Sequence, residues 1–302
     1  MSLSIDTTYN SPNFTERRNG FTKPTMVVMH YTACPLQDAI YTLTLPESRT
    51  TNPVSAHYLI PENNGENRVY ELVEPIKRAW HAGLAYFNGI EDINSASIGI
   101  EHVNWGYTYG IVPPEPSHPF LKDIWSRFIH LERRIGDQLQ NSWIAPQKTW
   151  HDFDVKQIDT SIQLCKKIIK DWKIDPDNFV GHEEVAVDKN KQLGRKEDPN
   201  CRFPWKTFAE KGIGPWPQDS IKTETLDLSQ GTSSSWMQQK LKDWGYSIPS
   251  STGHMDPPTE AAYKVFCNHF CVEEYREGAE EPTRGSMEIL ANLLQQRENK
   301  KK

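Results

Sequence analysis

The chain has 302 residues, 36% hydrophobic and 25% charged, enough for one large domain or two ordinary ones around a core of usual size. Its net charge of −6 argues against a general nucleic-acid binder, because neutralising phosphates needs a basic face, and no run approaches the roughly 18 apolar residues of a membrane span. Five dispersed cysteines with no CxxC pair indicate neither a disulfide framework nor a thiolate zinc site.

Residues 1–24 are polar, end at Pro24 and read as an extended arm. They contain no apolar leader core, which leaves two readings: a cytoplasmic protein, or one whose leader lies outside this chain. Met26 to Tyr31 is a short apolar run rich in β-formers, hence a buried strand, and His30 stands near its end. A helix is expected over 35–50. Val54 to Ile60 and Asn67 to Val73, separated by the turn-rich PENNG, predict a hairpin. Ser97 to Glu101 is another apolar strand, with Gly99 allowing close approach and Glu101 at its end.

Residues 106–119 hold four prolines and two tyrosines, a rigid loop suited to a groove wall. Apolar residues then recur at helical spacing through Phe120, Ile124, Phe128, Leu131 and Ile135, predicting a helix over 120–139. Asp154 or Asp159 is placed to start a further helix near Gln157 to Trp172. His151 and Asp152 read as solvated or capping residues.

Gly181 to Trp205 reads GHEEVAVDKNKQLGRKEDPNCRFPW, too polar for a buried strand and best taken as a long loop. Histidine and aspartate both ligate zinc, and Lys196, two residues before Asp198, is a cation able to stabilise an oxyanion. The separation of His182 from Asp198 matches no compact metal signature on its own.

Residues 206–232 read as a linker, with GIGPWP followed by SQGTSSS. Beyond it, helices are expected from Ser235 to Trp244, Pro258 to Phe270 and Arg284 to Gln296. They would form a small bundle around Trp236, Tyr246, Val265, Phe266 and Leu290.

Four ordered segments carry a family resemblance: VVMHYTA at His30, WHAG at Trp80 and His81, SIGIE at Glu101, and GHEEVA…GRKEDPNCRFPW. Together they resemble the zinc-dependent N-acetylmuramoyl-L-alanine amidases. Asn200-Cys201 replaces the family's usual Gly-Pro, and extra residues precede Gly194. The tail from 233, with its LxxxGY, its G-x-x-D-x-x-T and its A-x-x-x-F, resembles a peptidoglycan-binding helical domain.

The resemblance implies an α/β fold, a mixed central sheet flanked by helices, with a small C-terminal three-helix domain. It implies an arm over 1–24, a catalytic domain over 25–205, a linker over 206–232 and the wall-binding unit over 233–302. It also implies zinc held by His30, His182 and Asp198, with Glu101 as general base and Lys196 as oxyanion stabiliser. Trp80 and His81 are expected to line the substrate groove. His57, in SAHYLI, is carried over as a weaker substrate-side or structural candidate. The expected substrates are peptidoglycan and muropeptides. Two locations stay open, a lipid-anchored periplasmic form favoured by the tail and a cytoplasmic form favoured by the missing leader. A non-catalytic peptidoglycan-recognition protein of the same fold is the rival reading.

Overall fold

A computed structural model describes residues 2–62, 65–110, 119–139, 148–219, 233–249, 252–272 and 281–302. Its centre is a six-stranded sheet. The strands are β1 (Ser4–Asp6), β3 (Met26–Tyr31), β4 (Tyr58–Ile60), β5 (Arg68–Glu71), β7 (Ser97–His102) and β10 (Phe179–Gly181), in the spatial order β1-β5-β4-β7-β3-β10. The β4–β5 pair is antiparallel, as a hairpin requires, and the other four pairings are parallel. The sheet is therefore mixed. Two short ribbons, β2 (Phe14–Thr15) with β6 (Arg78–Ala79) and β8 (Tyr107–Thr108) with β9 (Thr149–Trp150), lie outside it.

Alternation along β3 divides the core. Val27 and Met29 face one side, with Ile98 and Ile100 of β7, and meet Ile158, Ile162, Cys165 and Ile168 of helix α4 (Val155–Trp172). The Asp154 side chain accepts from the Gln157 amide and starts that helix, a cap worth about 1 kcal/mol. On the opposite side, Met26 and Val28 join Ala82, Ala85, Phe87, Val185 and Val187. His30 has the same parity as Val28, so it projects from this second face.

The remaining helices are α1 (Leu36–Thr44), α2 (Ile93–Ala96), α3 (Pro119–Leu139), α5 (His182–Val185), α6 (Trp205–Glu210), α7 (Ser233–Trp244), α8 (Pro257–Phe270) and α9 (Arg284–Lys301). The long helix expected over 120–139 is α3. The helix expected over 35–50 is shorter, because Pro46 follows Leu45 and the chain continues as a 3-10 turn over Glu47–Arg49. Part of the proline-rich 106–119 loop, from 111 to 118, lies outside the described residues.

Three segments are more ordered than their composition suggests. The arm over 1–24 supplies β1 at the sheet edge. It is tied down by Ser11 Oγ donating to Leu43 O at 2.5 Å and Asn13 Nδ2 donating to Leu45 O and Val54 O at 2.8 and 2.9 Å. The start of the expected linker is packed as well. Phe208 of α6 and Ile213 are buried against Phe179, and Gly214 N donates to Pro176 O at 2.7 Å. Helices α7, α8 and α9 do not stand apart. Met237, Leu241, Trp244, Tyr246, Phe266, Phe270 and Leu290 share one continuous core with Met26, Val28 and Val180 of the sheet.

Candidate active site

Parallel register brings the chemistry together. His30 sits directly beside Glu101 in the β3–β7 pair, and Gly181 sits beside Met29 in the β10–β3 pair, so His182 emerges next to His30. Three neighbouring strands thus present Glu101, His30 and His182 at their carboxyl ends, where open α/β sheets form binding crevices.

Asp198 closes the group. Its Oδ2 lies 3.1 Å from His30 Nδ1 and 3.0 Å from His182 Nδ1, and the three residues are buried, at 1%, 4% and 7% exposure. One donor atom from each lies within 4.8 Å of the others, an arrangement that can hold a metal ion. The donor chemistry fits a metal, because the far ring nitrogens are already engaged. His182 Nε2 donates to Ala82 O at 3.2 Å. His30 Nε2 donates to His81 Nδ1 at 3.0 Å, His81 Nε2 donates to Ser97 Oγ at 3.1 Å, and Ser97 Oγ donates to Ile93 O at 2.6 Å. With protons on both Nε2 atoms, both Nδ1 lone pairs point at the carboxylate side, where a cation belongs.

Burial keeps the His30 and His81 rings neutral. Burial, reinforced by His182, lowers His30 to about 4, and burial holds His81 well below its usual range. Burial alone would raise Asp198, but His182 and His30 outweigh it and keep the carboxylate ionised. Burial, with Asp198 nearby, pushes Glu101 upward. Glu101 Oε1 lies 3.9 Å from His30 Nδ1, and its Oε2 is buried with no hydrogen-bond partner among the described residues. An unpartnered carboxylate oxygen beside a ligand cluster is placed to exchange a proton.

These groups form the floor of a groove of about 560 Å³ that Tyr31, Ser55, Tyr107, Arg133 and the exposed Lys196 also line. His81 reaches the groove but spends both ring nitrogens on His30 and Ser97, so it orients a neighbour. Its own backbone is fixed by Asn94 Oδ1, which accepts from the His81 and Ala82 amides at 3.0 and 2.8 Å. One expected groove residue, Trp80, and the weaker candidate, His57, lie elsewhere. His57 is fully buried, accepting from Gly99 N at 2.9 Å and donating to Lys77 O at 3.1 Å, and Trp80 is not among the residues that line the groove. His57 braces the β4–β7 junction. Arg133 gave no signal in the sequence because it reads as one more charge on a helix. Its Nε and Nη1 donate to Tyr107 O and Ala33 O, and Nη2 is buried without a partner among the described residues.

Gly99 explains how His81 comes so near. A Cβ there would stand 2.5 Å from the His81 ring. Gly99→Ala is therefore expected to cost about 1–3 kcal/mol in denaturant unfolding and to push His81 off His30. Unchanged unfolding would show that the ring has room to retreat.

Over residues 20–201 the chain matches the family described as N-acetylmuramoyl-L-alanine amidase, a range that includes all of the groups above. The chain belongs to this amidase family. It is similar to the N-acetylmuramoyl-L-alanine amidase AmiD of Escherichia coli K12, with 32% identity over 196 residues, 64% of this chain and 54% of that protein. The structure of E. coli AmiD with the substrate anhydro-N-acetylmuramic acid-L-Ala-D-γ-Glu-L-Lys overlays with a TM-score of 0.63 and 26% identity, covering 94% of this chain and 98% of that one. AmpDh3 from Pseudomonas aeruginosa, in complex with an anhydromuramic pentapeptide, gives 0.62 and 25%, covering 93% and 95%. Such coverage is not reachable without the C-terminal helices.

Against the usual amidase pattern, Asn200 stands where the family has glycine. It adopts φ +71°, a left-handed conformation that asparagine tolerates better than most residues, and its Oδ1 accepts from Arg202 N at 2.6 Å. The departure keeps the turn that carries Asp198.

Proposed function

We propose that this protein is a zinc-dependent amidase that hydrolyses the bond between N-acetylmuramic acid and L-alanine in peptidoglycan or muropeptides. The observation that carries the reading is the convergence of His30, His182 and Asp198 beside a partnerless Glu101 oxygen at the floor of an open groove. The muropeptides bound by AmiD and AmpDh3 support the substrate class.

His30, His182 and Asp198 would hold a zinc ion, which when bound would supply a Lewis acid and lower the pKa of a water toward about 7. Glu101 accepts the proton as the water oxygen adds to the amide carbonyl, then delivers it to the departing alanine nitrogen as the C–N bond breaks. The Lys196 ammonium, on the rim of the groove, offsets charge on the tetrahedral oxyanion. Asp198 stays ionised throughout, and His81 keeps the His30 ring turned toward the site. The C-terminal helices add wall affinity in this reading, and the location is the cell envelope. No helix among the described residues is long and apolar enough to cross a membrane.

The test is hydrolysis of a purified muropeptide, scored by release of a free L-alanine amino terminus. Activity is expected to vanish with a chelator and return with added zinc. Muropeptide retention with bound zinc and no release would instead favour a recognition protein.

A further inference from the structure

Helix α8 reaches the turn that carries His182. That turn places Glu183 and Glu184 side by side at 2% and 1% exposure, a costly arrangement for two carboxyl groups unless each is hydrogen-bonded. The side-chain donors come from the C-terminal helical unit. Asn268 Nδ2 donates to Glu183 Oε2 at 2.6 Å, His269 Nδ1 donates to Glu184 Oε2 at 2.9 Å, and Tyr246 OH donates to Glu184 Oε1 at 2.7 Å.

Both carboxyl residues connect onward to the proposed ligands. Glu184 Oε2 also accepts from Gly181 N at 2.6 Å, closing the turn on whose first residue His182 stands. The Glu183 amide donates to the Asp198 carbonyl at 2.7 Å. The His269 ring stacks on Trp205, centroids 3.9 Å apart and planes 16° apart, at the end of the segment that carries Asp198. One helix from outside the amidase match thus grips both arms of the ligand loop.

We propose that Asn268 and His269 are positioning residues for the metal site, acting through Glu183 and Glu184 on His182 and Asp198. The C-terminal helices then have a second role besides any wall affinity: they complete the metal site. The inference rests on His182 and Asp198 being ligands. Partners bonded directly to metal ligands typically affect metal affinity by about 10–100-fold, which bounds from above the effect of residues that act through Glu183 and Glu184.

The experiment measures the zinc dissociation constant of the full chain by competition with a chromophoric chelator, alongside thermal unfolding of the metal-free protein. His269→Phe keeps a ring against Trp205 and removes the donor; zinc affinity is expected to fall, by up to about 100-fold. His269→Asn retains a donor where Nδ1 stood and is expected to recover most of that loss. Met287→Ala, in the buried core of α9, is expected to lower the unfolding temperature while zinc affinity holds. Tyr246→Phe, which removes one hydroxyl and keeps the fold, is expected to weaken zinc in the same direction. Wild-type affinity in His269→Phe and Tyr246→Phe would overturn the proposal, as would an equal loss in Met287→Ala. Absence of zinc binding by the wild-type protein would instead overturn the metal reading, and this inference with it.

Discussion

Asp198→Ala is expected to abolish zinc binding and, with it, amide hydrolysis. Asp198 is the carboxylate that meets both His30 Nδ1 and His182 Nδ1 at 3.0–3.1 Å. Its removal takes away the carboxylate that lies between the two imidazoles and the charge it would set against a dication. The loss should exceed the roughly 100-fold typical of changes to outer-shell partners, and chelator competition reads it directly. Asp198→Asn is the sharper variant, since it keeps the shape and removes only the charge. Zinc affinity near wild type in both would remove Asp198 from the ligand set.

Glu101→Gln is expected to leave zinc binding within a few-fold of wild type and to lower kcat by about 10²–10⁴, the usual contribution of a positioned acid–base group. The substitution is nearly isosteric. Glu101 approaches the cluster only at 3.9 Å from His30, so the ligand atoms keep their arrangement. What disappears is a carboxylate oxygen that is buried, unpartnered and raised in pKa by its surroundings. The two variants separate the roles: one removes the metal and the other keeps it while turnover stops. If Glu101→Gln retained wild-type kcat, proton transfer would have to pass through another group on the groove.

The sheet and its main helices were legible because β3 and β7 are continuous apolar runs, and because α3 and α4 carry helical periodicity over many turns. The residues of the candidate site could be named from motif resemblance, but only the register of β7, β3 and β10 puts them side by side. Local pattern fails where a role depends on a distant partner. His81 was expected on the groove from the resemblance of its WHAG motif and does line it, yet its role follows from His30 and Ser97, 51 and 16 positions away. Arg133 went unread for the same reason, since it reaches the groove from a helix, and between the two alternatives for His57 only its bonds to the Gly99 and Lys77 backbone decide for the structural one. The arm at 1–24 gave no strand signal, since three residues of β1 are too few for alternation to be seen. The linker composition concealed α6, whose Phe208 packs against the sheet layer.

The adjacency of β10 and β3 has a consequence for biogenesis. His30 and His182 are about 150 residues apart in the chain, so closing that loop carries a large entropic cost before any ligand pair exists. A chain emerging from the ribosome carries His30 and Glu101 long before β10 appears, and two isolated side chains hold no ion firmly. On the zinc reading, the ligand set is complete only once this long-range strand pairing has formed. An ion that binds only the native arrangement then acts as a latch, favouring the folded protein by RT ln(1 + [Zn]/Kd). Scarcity of zinc in the folding compartment would lower the yield of mature protein before it limited turnover.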